Sequence, residues 1–468
     1  MHRLLFLIPV LAIGCGKKSG DADREQPPTG GRETTSAACG KAKVEGPMAW
    51  IEDDYPAALA CAKEKNVPLV LDLWAPWCHT CLSMKATVFT DASFKATADR
   101  FVYASLDTDK ETNAAVVAKF PLSAWPTFYV VGTDEQVLAR YVGSASTPQF
   151  HAFLEAGAAA RAGAEGAGKR LLAAERALAK KDFATADTEL TAALAEAPKD
   201  WVRRPDVLVS LISTKRNRND YDGCMNLARQ SMTETGTTSS AADFLSIALD
   251  CAGEKVKDDP THAATLRQEA MTRLEALIGD PKAQLSIDDR SDAMLILRET
   301  YKEVGRNPDA INLAEKQRAM LDEAAAKAGA PLAAMTYNWQ RAEVYVFLGR
   351  PLEVVPALEK SAADLPKEYD PRARLGWVYL HAGKYDEAAK WTDQALALAY
   401  GPRKARVLAQ RAEIANKQHD AATEKKYREE AVKLWESLPP GQASADSLAK
   451  AKEALAKVDA PSPATSAN

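Results

Sequence analysis

The sequence has few features of a nucleic-acid-binding, nucleotide-binding or metal-binding protein. Its 468 residues carry 60 basic and 64 acidic side chains, so the net charge is −4, and its six histidines are scattered. This balance lacks the basic excess that nucleic acid binding uses. The sequence also lacks a phosphate-binding loop, a G-x-S-x-G motif and a cluster of metal-ligand residues. We therefore expect no nucleic acid partner, no cofactor and no metal.

Long apolar runs are also missing, apart from one at the start of the chain. Residues 4–13 are apolar, follow a short basic head and precede Gly14-Cys15. This pattern is typical of an export signal, and ten residues are too few to span a bilayer. Leu11-Ala-Ile-Gly-Cys15 resembles a bacterial lipobox, which implies that Cys15 is lipidated and becomes the new N-terminus. The alternative is an ordinary cleaved signal with an incidental cysteine.

The lipobox resemblance implies a place in the bacterial cell envelope, with a lipid anchor and the protein facing the periplasm. After the signal of residues 1–15, residues 16–45 are rich in glycine, serine, threonine, proline and charge. Such a composition cannot bury enough apolar surface to fold, so this range predicts a flexible tether.

Two cysteines with two residues between them follow a strand-like apolar run. The run covers residues 67–75, and Trp77-Cys-His-Thr-Cys81 follows where a helix would begin. Free backbone N–H groups and the helix dipole stabilise a thiolate at that position, and the second cysteine is close enough to close a disulfide. A Cys-x-x-Cys can also be half of a zinc site, but nothing in the sequence completes a tetrahedral set. The motif therefore favours a dithiol switch.

The residues around this motif resemble the active-site segment of the thioredoxin superfamily. Asp72, six residues before Cys78, is at the position of the buried aspartate of that family, and Trp125-Pro126-Thr127 is similar to its cis-proline loop. Further residues are similar to the subgroup that includes the C-terminal periplasmic domain of DsbD-type thiol:disulfide interchange proteins: Met84, Val88, Phe89 and Asp91. The resemblance covers residues 46–158 and implies an α/β domain with a central mixed sheet flanked by helices.

The resemblance also implies roles for individual residues. Cys78, after Trp77, is the expected nucleophile and the more exposed thiol, and its thiolate would attack a substrate disulfide. Cys81 would then resolve the mixed disulfide, and buried Asp72, with a raised pKa, would take its proton. Pro126 would present the backbone of Trp125 to an extended substrate segment. For Asp72, a satisfied carboxylate at a strand end is the alternative.

The sequence departs from the family pattern at three places. The dipeptide between the cysteines is His79-Thr80 instead of Gly-Pro, and Ser105 is at the position where many thioredoxins have a lysine. Trp125, before the proline, is larger than usual. Protonated His79 would stabilise the Cys78 thiolate, or His79 is simply a solvated helix residue.

Besides Cys15, the chain has six cysteines, and an even number in an exported chain suggests disulfides. Cys39 and Cys61 flank the start of the thioredoxin-like range, and Cys224 and Cys251 are on helical patterns 27 residues apart. These four side chains either form two disulfides or remain buried thiols. Both alternatives stay open, because the sequence alone does not give disulfide connectivity.

From about residue 164 the strand patterns end and helical spacing continues with a period near 34. Tyr345 and Tyr379 are 34 residues apart, as are Gly349 and Gly383. The segment 375–395 resembles a tetratricopeptide (TPR) repeat, and segments near residues 182, 221, 249, 301 and 345 resemble weaker copies. Here glycines, including Gly253, are expected to end the first helix of each pair. We predict an all-α TPR-like solenoid over 159–440, with another repeat geometry as the alternative, and a short helix and loose tail over 441–468.

Together these features predict an exported, lipid-anchored thiol–disulfide oxidoreductase, more specifically a protein-disulfide reductase. Its partners would be protein disulfide substrates, an upstream thiol donor and a protein bound in the concave groove of the array. Two alternatives remain. One is a non-catalytic scaffold in which the array performs the function, and the other is a Cu(I)-handling protein with soft ligands at Cys78, Cys81, His79 and Met84.

Overall fold

The computed structural model describes residues 37–459, so Cys15 and the predicted lipobox lie outside the described part. An α/β domain comes first and a helical array follows, as the sequence predicts. The strands of the first domain are β1 Lys43–Glu45, β2 Met48–Glu52, β3 Leu69–Trp74, β4 Val102–Asp107, β5 Thr127–Val131 and β6 Val137–Val142. Its helices are α1 Tyr55–Lys65, α2 His79–Ala86, α3 Ala114–Lys119 and α4 Thr147–Gly163.

The six strands form one mixed sheet in the order β1-β2-β4-β3-β5-β6. The central strand β3 runs parallel to β4 and antiparallel to β5. Residues 69–73 are buried, as expected for a strand in the middle of a sheet that is covered on both faces. This placement fixes Asp72 opposite Ser105 on β4 and puts the end of β3 next to the cysteine motif.

The folded part begins earlier than the predicted boundary at residue 46. Cys39 and Cys61 form a disulfide, and β1 pairs with β2 in antiparallel register. The disulfide and the strand pairing attach residues 39–45 to the domain, so these residues are not part of a free tether. Cys224 and Cys251, whose bonding the sequence also left undecided, form a disulfide that joins two helices of the array.

Sixteen α-helices follow within the described residues. They are α5 Gly166–Ala179, α6 Phe183–Glu196, α7 Arg204–Asn217, α8 Tyr221–Ser231, α9 Ser239–Lys255, α10 Pro260–Gly279, α11 Ile287–Glu303, α12 Asn307–Lys327, α13 Pro331–Met335, α14 Asn338–Phe347, α15 Val355–Asp364, α16 Asp370–His381, α17 Tyr385–Leu398, α18 Gly401–Lys417, α19 Ala421–Ser437 and α20 Ala445–Asp459. Within residues 37–459, none of the helices combines the length and the apolar character that crossing a membrane requires.

Most helix pairs share one turn geometry. The turn residue after the first helix has a positive φ, and it is a glycine at Gly305, Gly349 and Gly383, as predicted. Lysine, asparagine or histidine takes the same place at Lys181, Asn219 and His419. In all six turns the next backbone N–H donates to a carbonyl five residues earlier, which satisfies a free carbonyl at the helix end.

Gly253 does not have the predicted role. It lies inside α9, which continues to Lys255, and its φ is not positive. An alanine-rich helix tolerates a glycine near its end, so a glycine alone was not enough to mark the turn.

Several helices of the array pack directly on the α/β domain. Helix α5 packs on β6, and α11 and α13 contact α2. Arg203, just before α7, donates to the backbone carbonyl of Arg140, and Ser239 at the start of α9 donates to that of Ser144. Part of the array therefore contacts the α/β domain of the same chain, whereas we predict a groove for a protein partner in its concave face. Binding of a second protein there stays a prediction.

Candidate functional site

The two cysteines of the motif lie where β3 leads into α2. Cys78 is the N-cap of α2, and its sulfur accepts a hydrogen bond from the backbone N–H of Cys81 at 3.0 Å. The two side chains form a disulfide. Both residues are buried, with 4% of Cys78 and 2% of Cys81 exposed. Cys78 is the more exposed of the two, as predicted, but only by a small margin, because the array covers this end of the α/β domain.

The predicted proline loop lies beside the disulfide. The Trp125–Pro126 peptide bond is cis, and Trp125 packs edge-on against Trp77 with ring centroids 4.9 Å apart. Each indole N–H has a partner on the loop after β4: Trp125 donates to the Thr108 hydroxyl at 2.8 Å, and Trp77 donates to the Asp109 carboxylate at 2.8 Å. The two tryptophans therefore hold fixed positions next to each other and against the cysteines.

Asp72 is buried on β3, with 1% exposed. Burial raises its pKa, the nearby Lys85 ammonium and a hydrogen bond from Ser105 partly oppose this, and the resulting pKa is about 6. The Ser105 hydroxyl donates to Asp72 Oδ2 at 3.1 Å. A carboxyl group with this pKa is mostly ionised at neutral pH and can accept a proton.

Lys85 fills the place of the lysine that is missing at position 105. Its Nζ donates to the Ser105 hydroxyl at 3.0 Å and lies 3.4 Å from the centroid of the Trp74 ring. The sequence analysis missed this residue. Its spacing was the available signal, because Lys85 follows Cys81 by four residues and so shares its face of α2.

His79 is not a solvated helix residue. Its Nδ1 lies 2.9 Å from Asp288 Oδ1 and 4.0 Å from Asp292 Oδ2, both on α11 of the array. Burial alone lowers the pKa of His79, but the carboxylates of Asp288 and Asp292 outweigh it and raise the pKa to about 9. His79 is therefore a buried cation paired with the array. Thr80 next to it lines a cavity between the two parts of the chain.

Helix α18 covers the opposite side of the disulfide. Arg403 is 2% exposed and contacts two carboxylates, Asp107 at 2.6 Å and Asp109 at 2.9 Å. The Arg406 guanidinium lies 4.4 Å from the centroid of the Trp77 ring. Gly401 comes so close that an added Cβ would lie 2.1 Å from the backbone oxygen of Asp109. Only a residue without a side chain allows this approach.

The four predicted Cu(I) ligands do not form one site. The Met84 sulfur accepts a hydrogen bond from the backbone N–H of Ala145 and belongs to the apolar core with Phe89 and Phe150. Among residues 37–459, a different set places ligand atoms within 4.8 Å of one another: His79, Asp288 and Asp292. In this set His79 and Asp288 already pair as cation and anion at 2.9 Å.

Residues 50–132 match the thioredoxin-like family model, so the α/β domain is thioredoxin-like. No curated protein matches the chain by sequence. A tetratricopeptide repeat protein from Parabacteroides merdae is similar in structure, with a TM-score of 0.41 and 14% identity over 63% of this chain and 99% of that protein. A TPR protein from Thermus thermophilus has a TM-score of 0.26 and 18% identity over 54% of this chain and 99% of that protein.

Proposed function

We propose that the protein is an exported, lipid-anchored thiol–disulfide oxidoreductase of the protein-disulfide reductase type. The observation that carries this proposal is the Cys78–Cys81 disulfide at the start of α2, beside the cis Trp125–Pro126 bond and near buried Asp72. Export and anchoring are supported by the apolar leader and Cys15, which lie outside the described residues.

The reaction begins with the reduced pair. The Cys78 thiolate attacks one sulfur of the substrate disulfide, the substrate S–S bond breaks, and the other substrate sulfur leaves as a thiolate that takes up a proton. The backbone N–H of Cys81 stabilises the Cys78 thiolate, since it already donates to that sulfur in the disulfide form. The product of this step is a mixed disulfide at Cys78.

Cys81 completes the reaction. Asp72 removes the proton of the Cys81 thiol, and the resulting thiolate attacks Cys78. The mixed disulfide breaks, the second substrate thiol leaves, and the Cys78–Cys81 disulfide forms again. The substrate gains two electrons, which an upstream thiol donor returns to the pair. The departing substrate thiolate takes up the proton. Ser105 donates to Asp72 and Lys85 donates to Ser105, so both side chains favour the ionised form of Asp72.

The test uses the protein without residues 1–15 and dithiothreitol as the thiol donor. We expect it to accelerate reduction of both insulin and bis(2-hydroxyethyl) disulfide. Cys78→Ser should lose essentially all activity, whereas Cys81→Ser should accumulate mixed disulfides with the substrate. A double variant, Cys224→Ser with Cys251→Ser, is the matched control because it removes a disulfide of the array and should remain active. Full activity of Cys78→Ser would rule out the proposed nucleophile.

A further inference from the structure

A cavity of about 770 Å³ lies between the thioredoxin-like domain and the first half of the array. Thr80 of the cysteine motif and Trp125 of the proline loop form part of its wall. Lys181 and Arg216, which are exposed, also line it, so the cavity opens to solvent at that side. It therefore connects the neighbourhood of the disulfide with the outside.

The opposite side of the disulfide is closed. Trp77 packs against buried residues of the array, including Tyr369 and Val407, and Arg406 covers its ring. Because α18 occupies that side, the cavity offers a path for a substrate as far as Thr80 and Trp125, next to the buried cysteines. Its volume is in the range of small-ligand pockets and suits a short extended segment, but not a folded domain.

The array side of the cavity carries a series of carboxylates. The first helix of each of four successive helix pairs contributes at least one carboxylate. These are Glu175 on α5, Asp206 on α7, Asp243 on α9, and Asp289 and Asp292 on α11. Arg203 forms ion pairs with the first two at 3.1 Å and 2.8 Å. The remaining three have no such arginine or lysine partner among residues 37–459.

Among these carboxylates, Asp243 has the fewest polar partners for its side chain. Within the described part of the chain it has no hydrogen bond and no ion pair, and its Oδ2 lies 3.3 Å from where a Cβ on Gly143 would be. Burial raises the pKa of Asp243 to about 7, and the negative charges of Asp289 and Asp292 add to the shift. Asp243 is thus a carboxyl group of this wall that forms no ion pair with a cation of the described residues, although Arg140, Lys181 and Arg216 line other parts of the cavity.

Four serines line the same wall: Ser144, Ser210, Ser213 and Ser239. The hydroxyls of Ser144 and Ser239 already donate to the Met84 sulfur and to the backbone carbonyl of Ser144. Ser210 and Ser213 are therefore the ones whose hydroxyls can donate to a peptide backbone.

We propose that this cavity is the substrate site of the dithiol and that it selects a disulfide in an extended peptide segment with lysine or arginine beside the cysteine. The inference rests on the proposed oxidoreductase function. The cationic side chain would lie against Asp243 and Asp292, while the sulfur reaches Cys78 past Thr80 and Trp125. The exchange steps and their electrons are those given above.

The experiment compares three small disulfides of equal length with different charge: cystamine, bis(2-hydroxyethyl) disulfide and 3,3′-dithiodipropionate. A second set contains peptides with an intermolecular disulfide flanked by two lysines or by two glutamates. Each kcat/KM is divided by the rate constant with dithiothreitol alone, which removes differences in intrinsic reactivity. We expect the cationic member of each set to exceed the anionic one by about tenfold, equivalent to about 1.4 kcal/mol.

Asp243→Asn and Asp292→Asn should each reduce this ratio severalfold. The matched control is Asp99→Asn, which removes an exposed carboxylate of the thioredoxin-like domain and should keep the ratio. Equal ratios in the wild type and Asp243→Asn, or a preference for the anionic members, would overturn the proposal. A preference confined to cystamine would overturn the peptide substrate. If the protein reduced none of the disulfides, the oxidoreductase function itself would fall.

Discussion

The ion pair between His79 and Asp288 joins the cysteine motif to the array, and its strength should depend on pH. The two atoms are 2.9 Å apart, the Asp288 side chain is fully buried, and the residues are 209 positions apart in the sequence. Formation of this pair therefore requires the docked arrangement of the two parts. The double-mutant cycle of His79→Ala and Asp288→Asn isolates the coupling between them.

The magnitude follows from the pKa of His79. Folding raises this pKa from 6.5 to about 9, which at about 1.36 kcal/mol per pH unit corresponds to about 3 kcal/mol. Because the pKa of the folded state is raised, the stabilisation is fully present below pH 6.5 and is lost as the pH rises through 9. The figure of about 3 kcal/mol covers all the surroundings of His79, including Asp292, so it sets the order of magnitude for the coupling with Asp288. We expect this coupling to be clearly larger at pH 6 than at pH 10, where only a hydrogen bond to the neutral imidazole is left.

Urea unfolding of the four proteins, followed by tryptophan fluorescence at both pH values, measures this coupling. A double-mutant cycle on the surface ion pair of Lys360 and Asp364 is the control, since these side chains are 74% and 35% exposed. Such i,i+4 surface pairs contribute about 0.3–0.5 kcal/mol. A His79–Asp288 coupling as small as that of the control at pH 6, or one that persists unchanged at pH 10, would refute the buried ion pair.

Four further predictions concern the redox pair, the helix that covers it and the anchor. His79→Ala should lower the reduction potential of the Cys78–Cys81 pair by about a few tens of millivolts, because it removes a cation near the thiolate. The change in potential should be the same in glutathione buffers at pH 6 and pH 8, since His79 is charged at both. A change at pH 6 alone would contradict the raised pKa of His79. Lys85→Met should raise the pKa of Asp72, so the pH midpoint of the resolving step in stopped-flow traces should move to higher pH; an unchanged midpoint would exclude Lys85 from this role. Arg403→Leu leaves two buried carboxylates unpaired at a cost of about 3–5 kcal/mol, so reduced Cys78 should react faster with iodoacetamide, and an unchanged rate would show that α18 does not control access. Cys15→Ala should move the native protein from the membrane fraction to the soluble fraction or leave it unprocessed, and unchanged fractionation would refute lipidation.

The sequence was informative where a function depends on neighbouring residues. The spacing of Cys78 and Cys81 at the end of an apolar run predicted the strand-to-helix junction, and Trp125-Pro126 predicted the cis bond. The junction follows from local chain geometry, whereas the cis bond is what the resemblance to the thioredoxin superfamily implied. The turns at Gly349 and Gly383 were predictable for the same reason, because glycine adopts a positive φ at little cost.

Features that depend on distant residues were not predictable in this way. Lys181 and Asn219 form the same turns without glycine, since the packing of the helix pair offsets the cost of a positive φ. The pKa of His79 depends on Asp288, and the burial of Cys78 depends on the array. No local pattern shows that a carboxylate 209 residues away will meet the cysteine motif.

The contact between Arg403 and Asp107 has a consequence for the order of events during biosynthesis. These residues are separated by 296 positions, and Gln442, which donates to the backbone carbonyl of Thr108, lies further along still. A chain that emerges from its N-terminus can complete the sheet and the cysteine motif long before α18 exists. In that interval the cysteines are uncovered and open to oxidants and other thiols. The mature specificity of the pair would thus be acquired last, when the C-terminal helices arrive and close over Trp77.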